Sequence, residues 1–495
     1  MQKPEEASRQ ALDIQPGRLA RNVLWLGSGE LLSRLIGLGI AIYLARVLGT
    51  EGYGLIGSAL AFVSYFTIFI AAGVDYHGVR DIAAQPENFS VIVGHVVGTR
   101  LLLLLVSFLF IALLVLILPH KIIGRIDLVL IYALTLLTLT FNTAWALRGL
   151  QQMRIIAIGL ILQNILIAAA TFLLVRSPQP DLWLVPAIQV GSECLLVGWY
   201  YKCLSIRFGR LRPVLDWRQL LPTLKETLHL SLGRFPRMFY YQGDVLLLAW
   251  LAGAANAGEF LASHKIILSI VMLGIIYQMN AYPVTSRLAA ASPVDALRFQ
   301  MNILRYALIV MAPLVVLGAA YAVPLIEFIY GSAFFASAPV FSWMLLTVPV
   351  FEASIAMQDV LAATRKNNAL LMANTAAMTL HILIGIVIIP GHGGTGAALA
   401  CLAGELVGLL LLSAFVWRSI GHFPFSLRML APIAGGMLMY AVIQIALPWP
   451  DAAKIALGLL AYAAIALLLR AMTRQELVLI WNYLRRLLNF GTRAG

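Results

Sequence analysis

Fourteen predominantly apolar stretches of roughly twenty residues follow one another along this chain. Wound as an α-helix, a run of that length matches the hydrocarbon thickness of a bilayer. Only 12% of the 495 residues are Asp, Glu, Lys or Arg, against 61% hydrophobic ones, too few charges to cover a water-soluble protein of this size. The chain therefore reads as an all-α polytopic membrane protein. Helices are expected at 22–44, 55–78, 91–118, 127–148, 154–175, 182–204, 227–251, 257–284, 301–328, 338–362, 369–390, 395–418, 428–447 and 452–472. The polar N-terminus leads into a long apolar run with no small-residue cleavage site after it, so an uncleaved first helix is expected. Cys194, Cys203 and Cys401 all fall in expected helices and read as small apolar residues, with no disulfide framework or metal spacing.

A net charge of +13 would point to nucleic acid in a soluble protein. Here the positive-inside rule accounts for it without a nucleic-acid partner. With both termini cytoplasmic, 25 of the 35 Lys and Arg fall in inside segments and 5 (Arg46, Lys121, Arg125, Arg176 and Lys454) in outside ones. Arg34, Arg100, Arg234, Arg237 and Lys265 stay within helices. Shifting one helix boundary does not reverse a five-to-one bias.

The longest polar interruption, 205–226, is basic and separates six helices from eight. Six being even, both sets start on the same side, so two six-helix lobes would be related by an axis along the membrane normal. The expected organisation is a tail at 1–21, an N-lobe at 22–204, a linker at 205–226, a C-lobe at 227–420, two further helices at 421–472 and a cytoplasmic tail at 473–495. A trace of repetition supports the two lobes: the first helix leads to Gly49-x4-Gly54 and the seventh to Gly253-x4-Gly258, with Glu30 and Arg234 at equal distances before their glycines. Within the tail, Leu477, Ile480, Trp481, Leu484, Leu487 and Leu488 share one helical face opposite Arg485 and Arg486, the pattern of an interfacial helix held by anionic membrane lipid.

The stretch 227–251 is apolar enough to cross a membrane yet carries Arg234, Arg237 and Asp244, with Pro236 mid-run. A charge at bilayer depth costs at least ~2.5 kcal/mol, so a chain keeps one where it faces a wet cavity or a partner. Pro236 frees a carbonyl one turn back and permits a bend. The helix reads as the wall of a cationic cavity, and the chain as a transporter of an anionic solute.

Several local patterns resemble one known family. Ser33-Arg34-Leu35-Ile36-Gly37 and Ala45-Arg46-Val47-Leu48-Gly49, then Glu51 and Tyr53-Gly54, are similar to its first helix and loop. Gly149-Leu150-Gln151-Gln152-Met153 resembles its turn between helices four and five. Tyr282-Pro283, Tyr330-Gly331 with Phe334, and Pro390, Gly394-Thr395-Gly396-Ala397-Ala398 and Glu405 follow in the family's order, so that the likeness spans about 20–420. The family is the O-antigen-type oligosaccharide flippases, the polysaccharide-export branch of the multidrug/oligosaccharidyl-lipid/polysaccharide exporter superfamily. The resemblance implies two six-helix lobes around a central cavity and alternating access. It also implies a polyprenyl-pyrophosphate-linked glycan as substrate, moved from the inner to the outer leaflet of a bacterial cytoplasmic membrane. No enzymatic activity is expected, no cofactor beyond coupling to H+ or Na+, and a polysaccharide polymerase machinery as protein partner.

A pyrophosphate calls for several cations, and Arg34, Arg234, Arg237 and Lys265 are the candidates. The alternative is internal pairing: Glu30 precedes Arg34 by one helical turn, and Asp244 follows Arg237 by two. Arg100 either binds substrate or snorkels, and Arg46 reads first as an interface anchor. Glu352 and Asp359, seven apart on one helix face, and Glu193 and Glu405 are candidates for ion coupling or, alternatively, for helix–helix hydrogen bonding. The histidines, His95, His229, His264 and His381, are scattered singly and read as packing residues. Gly391-His392-Gly393-Gly394-Thr395-Gly396 fits a dinucleotide fingerprint literally, but it joins two membrane helices and reads as a tight turn. Gly27, Gly29, Gly37 and Gly39 form either a bending gate or a close-packing surface. The rival function is a cation-coupled multidrug antiporter of the same fold, kept alive by Glu352 and Asp359 and opposed by Arg234 and Arg237.

Overall fold

The structure, a computed structural model, describes residues 16–71, 74–117, 124–177, 181–209, 213–214, 242–445, 449–469, 471–472 and 476. Most of the N-terminal tail and of the 205–226 linker lie outside the described residues, as do His229, Arg234, Arg237 and the tail helix apart from Glu476. Among the described residues the regular structure is helical and contains no strand. The helices are α1 (Pro16–Ala71), α2 (Val74–Ala84), α3 (Phe89–Ile117), α4 (Ile126–Phe141), α5 (Ala144–Gly149), α6 (Met153–Leu174), α7 (Leu184–Phe208), α8 (Gln242–Leu251), α9 (Ala254–Ala291), α10 (Pro293–Ala320), α11 (Ala322–Tyr330), α12 (Ser337–Ala363), α13 (Asn367–Ile420), α14 (Leu430–Ile445) and α15 (Asp451–Leu468). Among the described residues, eight helical stretches are long and apolar enough to cross a membrane. The protein is an all-helical polytopic membrane protein.

Two of those stretches are helix pairs broken at a glycine. In α1 the break is Gly49 (φ 68°, ψ −177°), between the helices expected at 22–44 and 55–78. In α13 it is Gly393 (φ 52°, ψ −132°), inside the Gly391–Gly396 run that reads as a tight turn. Positive φ disfavours residues with a Cβ, so glycine marks both breaks. Gly393 is constrained twice, because a Cβ there would sit 2.0 Å from Asn256 Oδ1.

Three expected spans are subdivided. The helix expected at 55–78 ends at Ala71, and α2 runs on separately to Ala84. The helix expected at 127–148 breaks at Asn142–Thr143 into α4 and α5, without Gly or Pro at the break. The helix expected at 301–328 begins earlier, at Pro293, and α11 follows Tyr321. The early start has a local cause: Pro293 opens the helix and Ser292 caps it, its side chain accepting from the Asp295 amide at 3.2 Å.

The chain forms two compact units. The first takes the described residues up to Lys265 together with Ile329–Phe334 and Gly385–Ala397, and the second takes the remainder. In the first, α1 packs on α4 and α6, and α6 on α7. Gly29 lets α1 approach α6 closely, since a Cβ there would lie 2.7 Å from the Ala157 Cβ; at Gly27 and Gly39 it would meet nothing within 4 Å. Phe89 stacks on Phe208 at 3.9 Å, and the Tyr200 hydroxyl donates to the Ile156 carbonyl at 3.2 Å. The short linker piece at Val214 docks on α3 through its amide, which donates to the Gly94 carbonyl at 2.9 Å. In the second unit α12 packs on α10 around Leu304, Met357, Val360 and Leu361.

Within the first unit, the two Gly-x4-Gly stretches meet. A Cβ on Gly54 would lie 1.8 Å from the Ala254 carbonyl oxygen, and one on Gly258 would lie 1.9 Å from that of Thr50. The contact is reciprocal, and both leading glycines, Gly49 and Gly253, have positive φ (68° and 91°). The same region gathers other distant motif residues. Tyr53 lies edge-on to Phe334 at 6.3 Å, and the Tyr330 hydroxyl donates to the Ala262 carbonyl at 2.9 Å. Arg46 Nε donates to the Ile329 carbonyl at 2.8 Å, so this side chain ties α1 to α11 as well as ending a helix.

Gly54→Ala or Gly258→Ala forces a methyl into backbone and is expected to cost about 3 kcal/mol or more. Gly39→Ala meets open space and should stay within about 1 kcal/mol of the parent. Thermal unfolding of the purified variants separates the two classes, and equal melting curves would remove the role assigned to the contact.

Candidate functional site

Charges lie in the membrane helices of both units. Among the described residues, the bases placed within membrane spans by the sequence, Arg34, Arg100 and Lys265, belong to the first unit. Glu352, Asp359 and Glu405 belong to the second.

Arg34 stands on α1 and is paired with Glu30, one turn earlier: its Nη2 donates to Glu30 Oε1 at 2.6 Å and its Nε at 3.1 Å. Both side chains are 44% exposed. An open i,i+4 pair of this kind is worth only about 0.3–0.5 kcal/mol, so the fold does not depend on it. The second polar group of this unit combines α8 and α9. Asp244 is buried, with Tyr65 and His264 within reach of its charge, and Lys265 acts on His264 as well. His264 also stacks on Phe260 at 5.7 Å. Arg234 and Arg237, the other two cationic candidates, lie outside the described residues.

Arg100 serves the backbone. It is 1% exposed, pairs with Asp75, and its Nη1 donates to the carbonyls of Leu139 (2.9 Å) and Asn142 (2.8 Å). Its guanidinium lies 5.9 Å from the Trp145 ring centroid. These carbonyls belong to the C-terminal end of α4, where a helix leaves acceptors without intrahelical partners. Arg100 thus supplies the donors that let the span break at Asn142–Thr143, and neither snorkelling nor substrate contact describes its position. Glu193 sits between helices, accepting from the Thr138 hydroxyl and, at 3.2 Å, from Gln189.

In the second unit three carboxylates face three different surroundings. Glu405 accepts from Ser354 at 3.5 Å. Asp359 accepts from Gln300 at 3.4 Å, and Gln300 donates to Thr285 at 2.8 Å. Glu352 differs. It is 1% exposed, its Oε1 is buried without a hydrogen-bond partner among the described residues, and a Cβ on Gly274 would fall 1.7 Å from that oxygen. Glycine at 274 is what makes room for the carboxylate. Pro349, one turn before it, also removes an amide donor from α12. The sequence places Glu352 and Asp359 on one face, but nothing in it reveals the Gly274 contact or the Gln300–Thr285 link, which depend on how α9 and α10 pack against α12.

Glycine-broken helix pairs, charges kept inside membrane spans and an all-helical framework define the class as a polytopic membrane protein. Solved structures of that class resemble it. The lipid II flippase MurJ, in an inward closed conformation, matches with a TM-score of 0.71 at 15% identity, over 92% of this chain and 100% of that one. A multidrug resistance MATE family transporter of the MOP superfamily matches at 0.62 and 14% identity, over 79% of this chain and 94% of that one. Residues 19–289, more than half of the chain, match the polysaccharide biosynthesis protein family, and the chain belongs to that family. A relative from Escherichia coli (strain K12), named "Putative O-antigen transporter", is 23% identical over 254 residues, which make up 50% of this chain and 60% of that protein.

Replacing Arg100 by Leu leaves the carbonyls of Leu139 and Asn142 and the Asp75 carboxylate without their donor. The expected cost is about 3 kcal/mol, seen as a lower unfolding temperature and yield. Transport per folded molecule is expected to be unchanged; its loss at normal stability would return Arg100 to the substrate path.

Proposed function

We propose that this protein translocates a polyprenyl-pyrophosphate-linked oligosaccharide from the inner to the outer leaflet of a bacterial cytoplasmic membrane, for surface polysaccharide biosynthesis. The observation that carries the reading is membership of the polysaccharide biosynthesis family over residues 19–289. The fold shared with a lipid II flippase and the name of the Escherichia coli relative support a lipid-linked glycan cargo. Both termini are cytoplasmic in this reading, a polysaccharide polymerase machinery receives the product, and no reaction is catalysed.

The pyrophosphate takes Arg34 from Glu30 and is held further by Arg234, Arg237 and Lys265. Arginine suits this task because its planar fork matches phosphate oxygens. The Gly54–Gly258 contact lies on the side that the Lys and Arg distribution assigns to the exterior, and it must part for release. Substrate drives such a change only if it binds the two states unequally. Glu352 is the proposed coupling site. A buried carboxylate without a partner is costly as an anion, so a proton binds there and leaves when the site becomes wet. A multidrug antiporter is the second reading, favoured by Glu352 and by the MATE likeness.

Cells lacking the gene, under matched growth, are expected to accumulate a polyprenyl-pyrophosphate oligosaccharide by lipid mass spectrometry and to lose surface polysaccharide. Wild-type protein restores it. The double variant Arg234→Glu/Arg237→Glu, present at normal levels, should not, and full surface glycan from it would sink the assigned binding site. Glu352→Gln keeps the shape but holds no exchangeable charge, so translocation in proteoliposomes should lose its response to an imposed pH gradient; an intact response excludes coupling there. Unchanged lipid intermediates with new sensitivity to cationic drugs would establish the antiporter instead.

A further inference from the structure

The segment between α13 and α14 and the start of α10 enclose a cleft of about 590 Å3 in the second unit. Its wall holds Arg298, Arg305 and Arg428 with His422 and, among the described residues, no carboxylate. The face is the one the Lys and Arg distribution assigns to the cytoplasm. Arg305 is 5% exposed and its Nε is buried without a hydrogen-bond partner among the described residues. Burying a guanidinium costs several kcal/mol unless an anion compensates it.

One anion does reach it. Glu476, from the C-terminal segment, accepts from Arg305 and, at 2.6 Å, from the Tyr306 hydroxyl, while the Tyr306 ring lies 4.9 Å from the guanidinium. The other two arginines are less engaged. Arg298 meets only Asp295, at 3.3 Å with both side chains exposed, and Arg428 makes no ion pair among the described residues. The remaining wall is apolar and aromatic: Leu297, Met301, Phe425 and Met429, with Phe423 67% exposed at the rim. Three guanidiniums beside an apolar wall at a membrane surface match a phosphate joined to an acyl chain.

We propose that this cleft binds the phosphate of an anionic phospholipid of the inner leaflet, and that Glu476 is its internal competitor. Glu476 then holds Arg305 when the site lacks lipid and gives it up when phosphate occupies the guanidinium. The site is separate from the proposed translocation residues and does not depend on the identity of the cargo.

The test uses the full chain in a neutral detergent, titrated with short-chain phosphatidylglycerol, phosphatidylcholine of the same tails, or inorganic phosphate, and read by native mass spectrometry. Phosphatidylglycerol is expected to bind at least tenfold more tightly than phosphatidylcholine. Arg298→Ala/Arg428→Ala, both exposed positions, should weaken it about tenfold with an unchanged unfolding temperature. Glu476→Gln should tighten it several-fold, because the competitor loses its charge. Equal affinity for the two lipids, no effect of the double alanine variant, or no gain from Glu476→Gln overturns the proposal. Inorganic phosphate binding as tightly as phosphatidylglycerol overturns the lipid assignment in favour of a free phosphate.

Discussion

The close backbone approach at Gly54 and Gly258, in the first unit, governs much of what surrounds it. Two helix starts meet with each glycine under the other's carbonyl, Thr50 for one and Ala254 for the other. Such proximity replaces side-chain packing by carbonyl contacts with backbone hydrogens and needs glycine on both sides. It also requires that each chain turn sharply just before the contact, which Gly49 and Gly253 do with positive φ. Around it, Tyr53 meets Phe334, Gly393 leaves room for the Asn256 side chain, and Arg46 holds the Ile329 carbonyl. Residues more than three hundred positions apart are thus committed to one place because two peptide units occupy the space of side chains.

A second constraint is the absence of water as a hydrogen-bond partner inside a membrane. Every interruption of a spanning helix must find donors and acceptors within the protein. The glycine breaks at Gly49 and Gly393 avoid the problem, because each joins two spans instead of interrupting one. The break at Asn142–Thr143 solves it with a charge: Arg100 covers two carbonyls and is itself balanced by Asp75. An intramembrane arginine therefore has two distinct uses in one protein. Arg100 is spent on the fold and nearly wholly buried, whereas Arg34 keeps an open, solvent-exposed pair with Glu30.

The spans were legible in the sequence because hydropathy over twenty residues reflects the bilayer, not the neighbours of a helix. The breaks at Gly49 and Gly393 were legible because only glycine tolerates those angles cheaply. The repeated Gly-x4-Gly pattern was visible too, but its two copies could not be known to touch. The break in 126–149 was not legible, since its cause is a side chain from another helix. The same holds for the site. The Glu30–Arg34 pair follows from helical spacing, while the isolation of Glu352 beside Gly274 follows from the packing of α9 on α12, which no local pattern encodes.

That isolation distinguishes Glu352 from the other acids of its unit. Asp359 and Glu405 accept hydrogen bonds from Gln300 and Ser354, so either charge state finds a partner. Glu352 Oε1 has none among the described residues, and a residue larger than glycine at 274 would collide with it. A packing role alone would be served better by an apolar side chain of similar volume, because replacing buried charge by well-packed hydrophobic residues is often neutral or stabilising. Here a carboxylate is kept with one oxygen unsatisfied among the described residues, and the facing helix is cut back to glycine to admit it. The contact between α9 and α12 thus depends on a missing side chain at Gly274 as much as on the carboxylate that fills its place.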